Sequence, residues 1–128
     1  MSKLTKVMKK FNYIASAKRT FKIESNAING LANQIDTNFT QLCDYIRSSK
    51  GKFIIMGVGK SGHIGQKISA TLSSTGTGSI FIHPTEAAHG DMGLIEKKDI
   101  VFLISNSGET DEIINILPSL KRSSYKLA

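Results

Sequence analysis

The chain has 128 residues, of which 40% are hydrophobic and 21% charged, and its formal net charge is +7. This composition is typical of one globular domain. No apolar run reaches the roughly 20 residues of a transmembrane helix, and no signal-peptide segment opens the chain, so we expect a cytoplasmic protein without membrane contact. The basic charge suits an anionic small molecule, but no alternating basic and aromatic face predicts a nucleic-acid partner.

The single cysteine, Cys43, has no partner for an intrachain disulfide, which suits a reducing compartment. Since it lies among apolar helix positions, we predict a small core residue.

The front of the chain divides into a basic lead-in, residues 1–16, and a domain that begins at residue 17 and continues to residue 128. Helical spacing predicts two helices, about 17–34 and 37–49, with Asp36 as the cap of the second. Their apolar stripe is predicted to pack in the core, and its length also suits subunit contact: Ile28, Leu31, Ile35, Phe39, Leu42 and Ile46.

The rest of the chain alternates between strands and helices. Apolar runs predict buried strands at 52–57, 79–82 and 99–104, and helices follow at 62–74, at 85–89 as one turn, and from Ile113 to Leu120. This order predicts an α/β fold with a doubly wound parallel sheet. Residues 124–128 stand where a fourth strand would begin, so we expect a sheet cut short after the third strand and its helix.

A glycine-rich turn, residues 57–62 (GVGKSG), follows the first predicted strand. It matches the dinucleotide pattern G-x-G-x-x-G, but no acidic residue lies between Gly57 and Glu86 to bind a ribose. A Walker loop is excluded because position 54 is isoleucine. Lys60 and Ser61 beside a helix N-terminus instead favour a phosphorylated or otherwise anionic small molecule.

A second polar turn, residues 105–110 (SNSGET), follows the third predicted strand. Its hydroxyls and amide suit a phosphate, while the alternative is a helix cap formed by Ser107. Glu109 is the candidate base. Because the carboxyl ends of parallel strands meet at one edge, both polar turns are expected to line one crevice.

Histidines and acids gather around Pro84, namely His83, Glu86, His89 and Asp91. Metal ligation by this group is conceivable, but the spacing matches no standard zinc pattern. We favour a loop held by hydrogen bonds and expect neither a metal nor a cofactor.

Four segments in this order resemble the sugar isomerase (SIS) domain of arabinose-5-phosphate isomerases: 57–65 (GVGKSGHIG), 73–77 (SSTGT), 83–91 (HPTEAAHGD) and 105–109 (SNSGE). The resemblance implies a flavodoxin-like, three-layer SIS fold and a cytoplasmic homo-oligomer, usually a tetramer. It implies interconversion of D-arabinose 5-phosphate and D-ribulose 5-phosphate through an enediol, which feeds the Kdo sugar of lipopolysaccharide.

The resemblance also implies roles for individual residues. Lys60 and Glu109 match positions implicated in catalysis. The positions that match substrate contacts are Gly59, Ser61, Ser105, Asn106, Ser107 and Thr110, together with the histidines His83 and His89.

The family continues beyond what this sequence contains, through two further strands, another active-site glutamate, a His-Pro-Gly-Gly block and often paired CBS domains. The sequence therefore resembles the N-terminal part of a SIS domain. Two alternatives to catalysis stay open: a sugar-phosphate-binding module without turnover, and a remnant that only self-associates.

Overall fold

The fold is that of a computed structural model, which describes residues 11–123 and 126–127. The chain forms two compact units, divided between Asn38 and Phe39. In the first unit, helix α1 (Tyr13–Leu31) is followed by a short 3-10 helix (Ala32–Gln34). The Asn12 side chain accepts the N–H of Ala15 at 2.9 Å and so caps α1. The predicted lead-in is therefore helical from Tyr13 on, and residues 1–10 lie outside the described part.

Helix α2 (Thr37–Ser48) follows Asp36, whose carboxylate accepts the N–H of Asn38 at 2.9 Å, so the predicted cap is confirmed. From Phe39 on, α2 belongs to the second unit, where Leu42 and Ile46 pack against the sheet. Cys43 is exposed, so its prediction as a core residue is wrong. It follows Leu42 by one residue, which turns its side chain about 100° away from the packed face.

A parallel sheet forms the centre of the second unit, with the strands in the order β2 (Ser79–Phe81), β1 (Phe53–Gly57), β3 (Ile100–Ile104) and β4 (Lys126–Leu127). Residue Phe53 pairs with Ile100, and the register continues to Gly57 and Ile104. The short β4 occupies the predicted fourth-strand position, so the sheet extends past the third strand and its helix. The elements are β1 (Phe53–Gly57), α3 (Gly59–Ser74), β2 (Ser79–Phe81), α4 (Pro84–Ala88), a 3-10 helix (Asp91–Leu94), β3 (Ile100–Ile104), α5 (Asp111–Arg122) and β4 (Lys126–Leu127).

Alternate residues of β1 and β3 face two separate apolar clusters, as the period of a strand dictates. One cluster joins the sheet to α4 and α5 through Ile54, Met56, Val101, Ala87, Ile116 and Leu120. The other joins it to α2 and α3 through Phe53, Ile55, Ile100, Leu42, Ile46, Ile68 and Leu72. Covered on both faces, the sheet is the middle of three layers, which confirms the predicted doubly wound α/β class. Among the described helices, none combines the length and apolarity that a membrane span requires.

Candidate functional site

The strand order creates a crevice between the carboxyl ends of β1 and β3. From β1, the chain passes through α3 to β2 on one side, whereas β3 and then β4 lie on the other side. The direction of winding therefore reverses between β1 and β3. Open α/β sheets bind ligands at such a switch point, outside the carboxyl ends of the strands.

The first wall of the crevice is the turn from β1 into α3. Val58 is the extended N-cap of α3, and Gly59 has a positive φ of 57°, a conformation that glycine adopts at little cost. The helix then passes close to the strand, since a Cβ on Gly62 would lie 2.8 Å from the carbonyl oxygen of Gly57. This wall contains the first residues of α3, whose backbone N–H groups have no acceptor within the helix.

The second wall is the loop 105–110 between β3 and α5. The Ser105 hydroxyl accepts the N–H of Gly108 at 3.0 Å and lies 2.9 Å from the Thr110 hydroxyl. The Ser107 hydroxyl accepts the N–H of Glu109 at 3.1 Å. Thr110, not Ser107, is the N-cap position of α5, and its side chain makes no capping bond. The alternative of a Ser107 cap is therefore wrong, because the helix begins only at Asp111.

The two walls line an open cavity of about 560 Å³. Among the described residues, Lys60 supplies its one cation and makes no ion pair with any of them. No acidic side chain from the described part of the chain lines it, so the cavity suits an anion. The full lining is Lys60, Ser61, Ile64, Ile104, Ser105 and Asn106.

Four lining residues were predicted from the sequence, and two apolar ones, Ile64 and Ile104, were missed. Ile64 comes one helical turn after Lys60, so its position in the first turns of α3 was the available signal. Two other predicted residues, Ser107 and Glu109, are exposed and do not line this cavity. Thr110 joins the site through its hydrogen bond to Ser105.

The two predicted histidines lie at the two ends of α4, His83 at the N-cap position and His89 at the C-cap position. His83 caps α4, with its Nδ1 accepting the N–H of Thr85 at 3.2 Å, so in this arrangement the proton of the neutral ring is on Nε2. His89 lines a second cavity of about 190 Å³ between α4 and α5, together with Glu112 and Asn115. Glu112 and Asn115 were not predicted from the sequence, although their spacing of three puts them on one face of α5.

The predicted hydrogen-bonded loop around Pro84 matches the His83 cap. Within residues 11–123 and 126–127, no three histidine, cysteine or acidic side chains gather in a metal-binding arrangement.

Comparison with known proteins gives a consistent set of similarities. The family model described as "SIS domain" matches residues 45–127. Arabinose 5-phosphate isomerase KdsD of Pseudomonas aeruginosa is 50% identical over 111 residues, which are 87% of this chain and 34% of that protein. KdsD of Escherichia coli K12 is 48% identical over 112 residues, which are 88% of this chain and 34% of the relative. The chain thus spans about a third of the length of the curated relatives it matches.

Solved structures share the same fold. The structure of the c3406 protein of E. coli CFT073 in complex with arabinose 5-phosphate superposes with a TM-score of 0.79 at 43% identity, over 91% of this chain and 64% of that one. A phosphosugar isomerase described as involved in capsule formation, from Bacteroides fragilis, gives a TM-score of 0.84 at 33% identity, over 91% and 62%.

Proposed function

The chain belongs to the SIS domain family, and on this premise we propose that it binds a phosphorylated pentose in the crevice between β1 and β3. One observation carries the proposal: Lys60 and Ser61 of one polar turn share a single cavity with Ser105 and Asn106 of the other. The substrate we propose is D-arabinose 5-phosphate, since curated relatives at about 50% identity are named for it.

In the proposed binding mode, the phosphate lies against the polar turns. The N–H groups that open α3, from Gly59 to Ser61, offer donors and the positive end of the helix dipole. Ser105 and Asn106 add neutral donors from the opposite wall, and the exposed Ser107 reaches the outer phosphate oxygens. Thr110 holds the Ser105 hydroxyl in place. This binding mode requires no metal or cofactor.

The reaction we propose is the interconversion of D-arabinose 5-phosphate and D-ribulose 5-phosphate, the step that supplies Kdo synthesis. A base removes the proton from C2 of the aldose, and the electron pair forms the C1–C2 double bond while the C1 carbonyl opens and its oxygen takes up a proton, which gives an enediol. The C2 hydroxyl then loses its proton and becomes the carbonyl of the ketose, while the electron pair of the double bond takes up a proton at C1. The Lys60 ammonium stabilises the negative charge that develops on the sugar oxygens. His83, with Nε2–H available, and His89 contact the hydroxyls of the sugar.

Two glutamates compete for the role of base. Glu109 lies in the polar turn, but it is exposed and outside both cavities. Glu112 follows three residues later and lines the cavity that also contains His89. Either carboxylate can accept a carbon-bound proton when it is held within hydrogen-bond reach of the sugar.

The exposure of Glu109 also favours a second candidate function, a SIS module that binds a sugar phosphate without turnover. Both candidates share the phosphate site and differ in whether a base reaches C2. In either case we propose a cytoplasmic homo-oligomer.

The test is NMR of arabinose 5-phosphate in D2O with the purified chain, which follows deuterium at C2 and the appearance of ribulose 5-phosphate. Glu109→Gln and Glu112→Gln each remove one candidate base. Asp111→Asn is the matched control, because Asp111 is exposed on the same stretch and lines neither cavity.

Each outcome assigns a function. Exchange that is lost in Glu109→Gln but kept in Asp111→Asn supports Glu109 as the base, whereas loss only in Glu112→Gln moves that role to Glu112. Saturable binding without exchange supports the non-catalytic module. If the chain shows neither binding nor exchange, the phosphosugar proposal for this chain is overturned.

A further inference from the structure

The cavity between β1 and β3 has an apolar surface that phosphate binding does not use. Ile64 of α3 and Ile104 at the end of β3 line the same cavity as Lys60. Ile64 keeps 57% of its surface exposed, although its side chain is large and hydrophobic. We call Ile64 and Ile104 together the isoleucine wall.

The isoleucine wall continues the apolar core into the cavity. Ile64, Ile68 and Leu72 recur every four residues and so follow one stripe of α3. Ile68 and Leu72 pack against the sheet in the same cluster as Ile104. Ile64 lies one turn nearer the start of the helix, so it is the exposed end of this stripe and lines the cavity.

The spacing between Lys60 and Ile64 indicates what kind of ligand the cavity suits. Ile64 follows Lys60 by four residues, which puts both side chains on the same side of α3. The first turn of α3 thus offers a cation to the cavity, and the next turn offers a branched alkyl group. A ligand that uses both has an anionic group joined to a chain of carbon atoms, whereas free phosphate uses only the cation.

A phosphorylated sugar has both parts. Its phosphate and hydroxyl groups form hydrogen bonds, while its carbon-bound hydrogens form an apolar side that is released from water on contact with an isoleucine. Each contact that removes the equivalent of one methylene group from water raises the affinity about fourfold.

Resting on the proposed phosphosugar site, we infer that Ile64 is a specificity-determining residue. Its side chain contacts the carbon chain of the ligand and so makes a sugar phosphate bind more tightly than inorganic phosphate. Ile104, which packs in the core cluster, forms the other part of the contact surface.

The first test compares the affinities for arabinose 5-phosphate and for inorganic phosphate, both measured by phosphorus NMR titration. Ile64→Ala should weaken binding of arabinose 5-phosphate about fourfold and leave that of inorganic phosphate unchanged. Ile64→Leu keeps the apolar volume and should bind both ligands as wild type does. Ile114→Ala is the matched control, because Ile114 is 43% exposed on α5 and lines neither cavity.

The second test detects the contact itself. In a chain with isotope-labelled isoleucine methyl groups, the signal of Ile64 is identified by its loss in Ile64→Leu. Nuclear Overhauser effects should join this methyl group to the carbon-bound protons of arabinose 5-phosphate, and Ile114 should give none. If arabinose 5-phosphate binds without these effects at Ile64, the inference is overturned.

The outcomes separate this inference from the proposed function. Equal losses for the two ligands in Ile64→Ala would show that Ile64 acts only through the phosphate turn, and unchanged affinities would show that it has no role. Either result overturns the inference and leaves the phosphate site in place. The same holds if wild type binds arabinose 5-phosphate no more tightly than inorganic phosphate. A wild-type chain that binds neither ligand would overturn the proposed function and this inference with it.

Discussion

The carboxylate of Asp99 accepts the backbone N–H of Lys52 at 2.7 Å and so fastens the start of β1 to the residue before β3. Asp99 is fully buried, and its second oxygen accepts the N–H of Glu96 at 2.9 Å and pairs with the Lys52 ammonium at 3.1 Å. The backbones approach so closely here that a Cβ on Gly51 would collide with the carbonyl of Lys98. This cluster fixes the register of the two strands whose opposite ends form the crevice.

We predict that Asp99→Asn destabilises the fold by about 2–3 kcal/mol, because an amide accepts only one of the two backbone N–H groups and leaves the other unsatisfied. Urea unfolding followed by circular dichroism measures the change. Asp44→Asn, at an exposed position of α2, is the control and should stay within about 0.5 kcal/mol of wild type. Equal stability of the two variants would contradict the role given to Asp99.

The exposed ion pairs around this cluster predict how stability depends on pH. Hydrogen bonds from the Lys98 and Lys52 ammonium groups lower the pKa of Glu96 below 4.5. A carboxyl with a lowered pKa contributes stability above its unfolded value and loses that contribution as the pH falls through the folded value. Glu96→Gln should therefore flatten the fall in stability below pH 4.5.

Lys52, the ion-pair partner of Glu96, contributes to stability with the opposite pH dependence. Hydrogen bonds to Glu96 and then Asp99 raise the pKa of Lys52 above 10.5. Its contribution is complete below pH 10.5 and is lost as the pH rises through the folded value. Urea midpoints from pH 3 to pH 11 check both signs. If Glu96→Gln lost stability at acid pH as steeply as wild type, these assignments would be contradicted. The same holds if Lys52→Met lost stability at alkaline pH as steeply as wild type.

Close packing of α3 on β1 predicts the effect of added methyl groups. Gly62→Ala should cost about 1–3 kcal/mol, since the new Cβ would lie 2.8 Å from the backbone oxygen of Gly57, which cannot move without the strand. Gly93→Ala is the matched control, because nothing lies within 4 Å of a Cβ there. Thermal unfolding of the two variants gives the comparison, and a stable Gly62→Ala chain would show that α3 can shift.

The sequence was enough to place the crevice because its walls depend on local signals. The apolar run of β1 and the glycines after it predict a buried strand and a tight turn, and the same holds for β3 and its polar loop. Parallel strands then bring Lys60 and Ser61 to the same edge as Ser105 and Asn106. This placement requires only that the strands run parallel, and the alternation of strands and helices in the sequence predicts parallel strands.

Features that depend on register could not be predicted in this way. Asp99 was expected to be the first residue of the third strand, whereas its carboxylate bonds Lys52 across the pairing of Phe53 with Ile100. Nothing in a single sequence fixes which residue of β3 lies beside which residue of β1. The exposed position of Glu109 and the shared cavity of His89 and Glu112 likewise depend on where α5 begins, which sequence patterns alone did not locate.

The proposed phosphate site carries a further prediction, because two of its serines, Ser105 and Ser107, differ in their hydrogen bonds. Ser107→Ala should weaken binding of arabinose 5-phosphate about fivefold, the effect of losing one neutral hydrogen bond of about 1 kcal/mol. Ser105→Ala should weaken it more, at least about tenfold, since Ser105 lines the cavity and also holds Gly108 and Thr110 in the loop. Titration calorimetry measures both.

Ser74→Ala is the control for these two variants, because the Ser74 hydroxyl bonds only its own helix, at the carbonyl of Thr71, at the far end of α3. Its affinity should equal that of wild type. If Ser105→Ala binds as tightly as Ser74→Ala, the phosphate does not lie between the two polar turns. A larger loss in Ser107→Ala than in Ser105→Ala would instead place the phosphate outside the cavity, at the exposed tip of the loop.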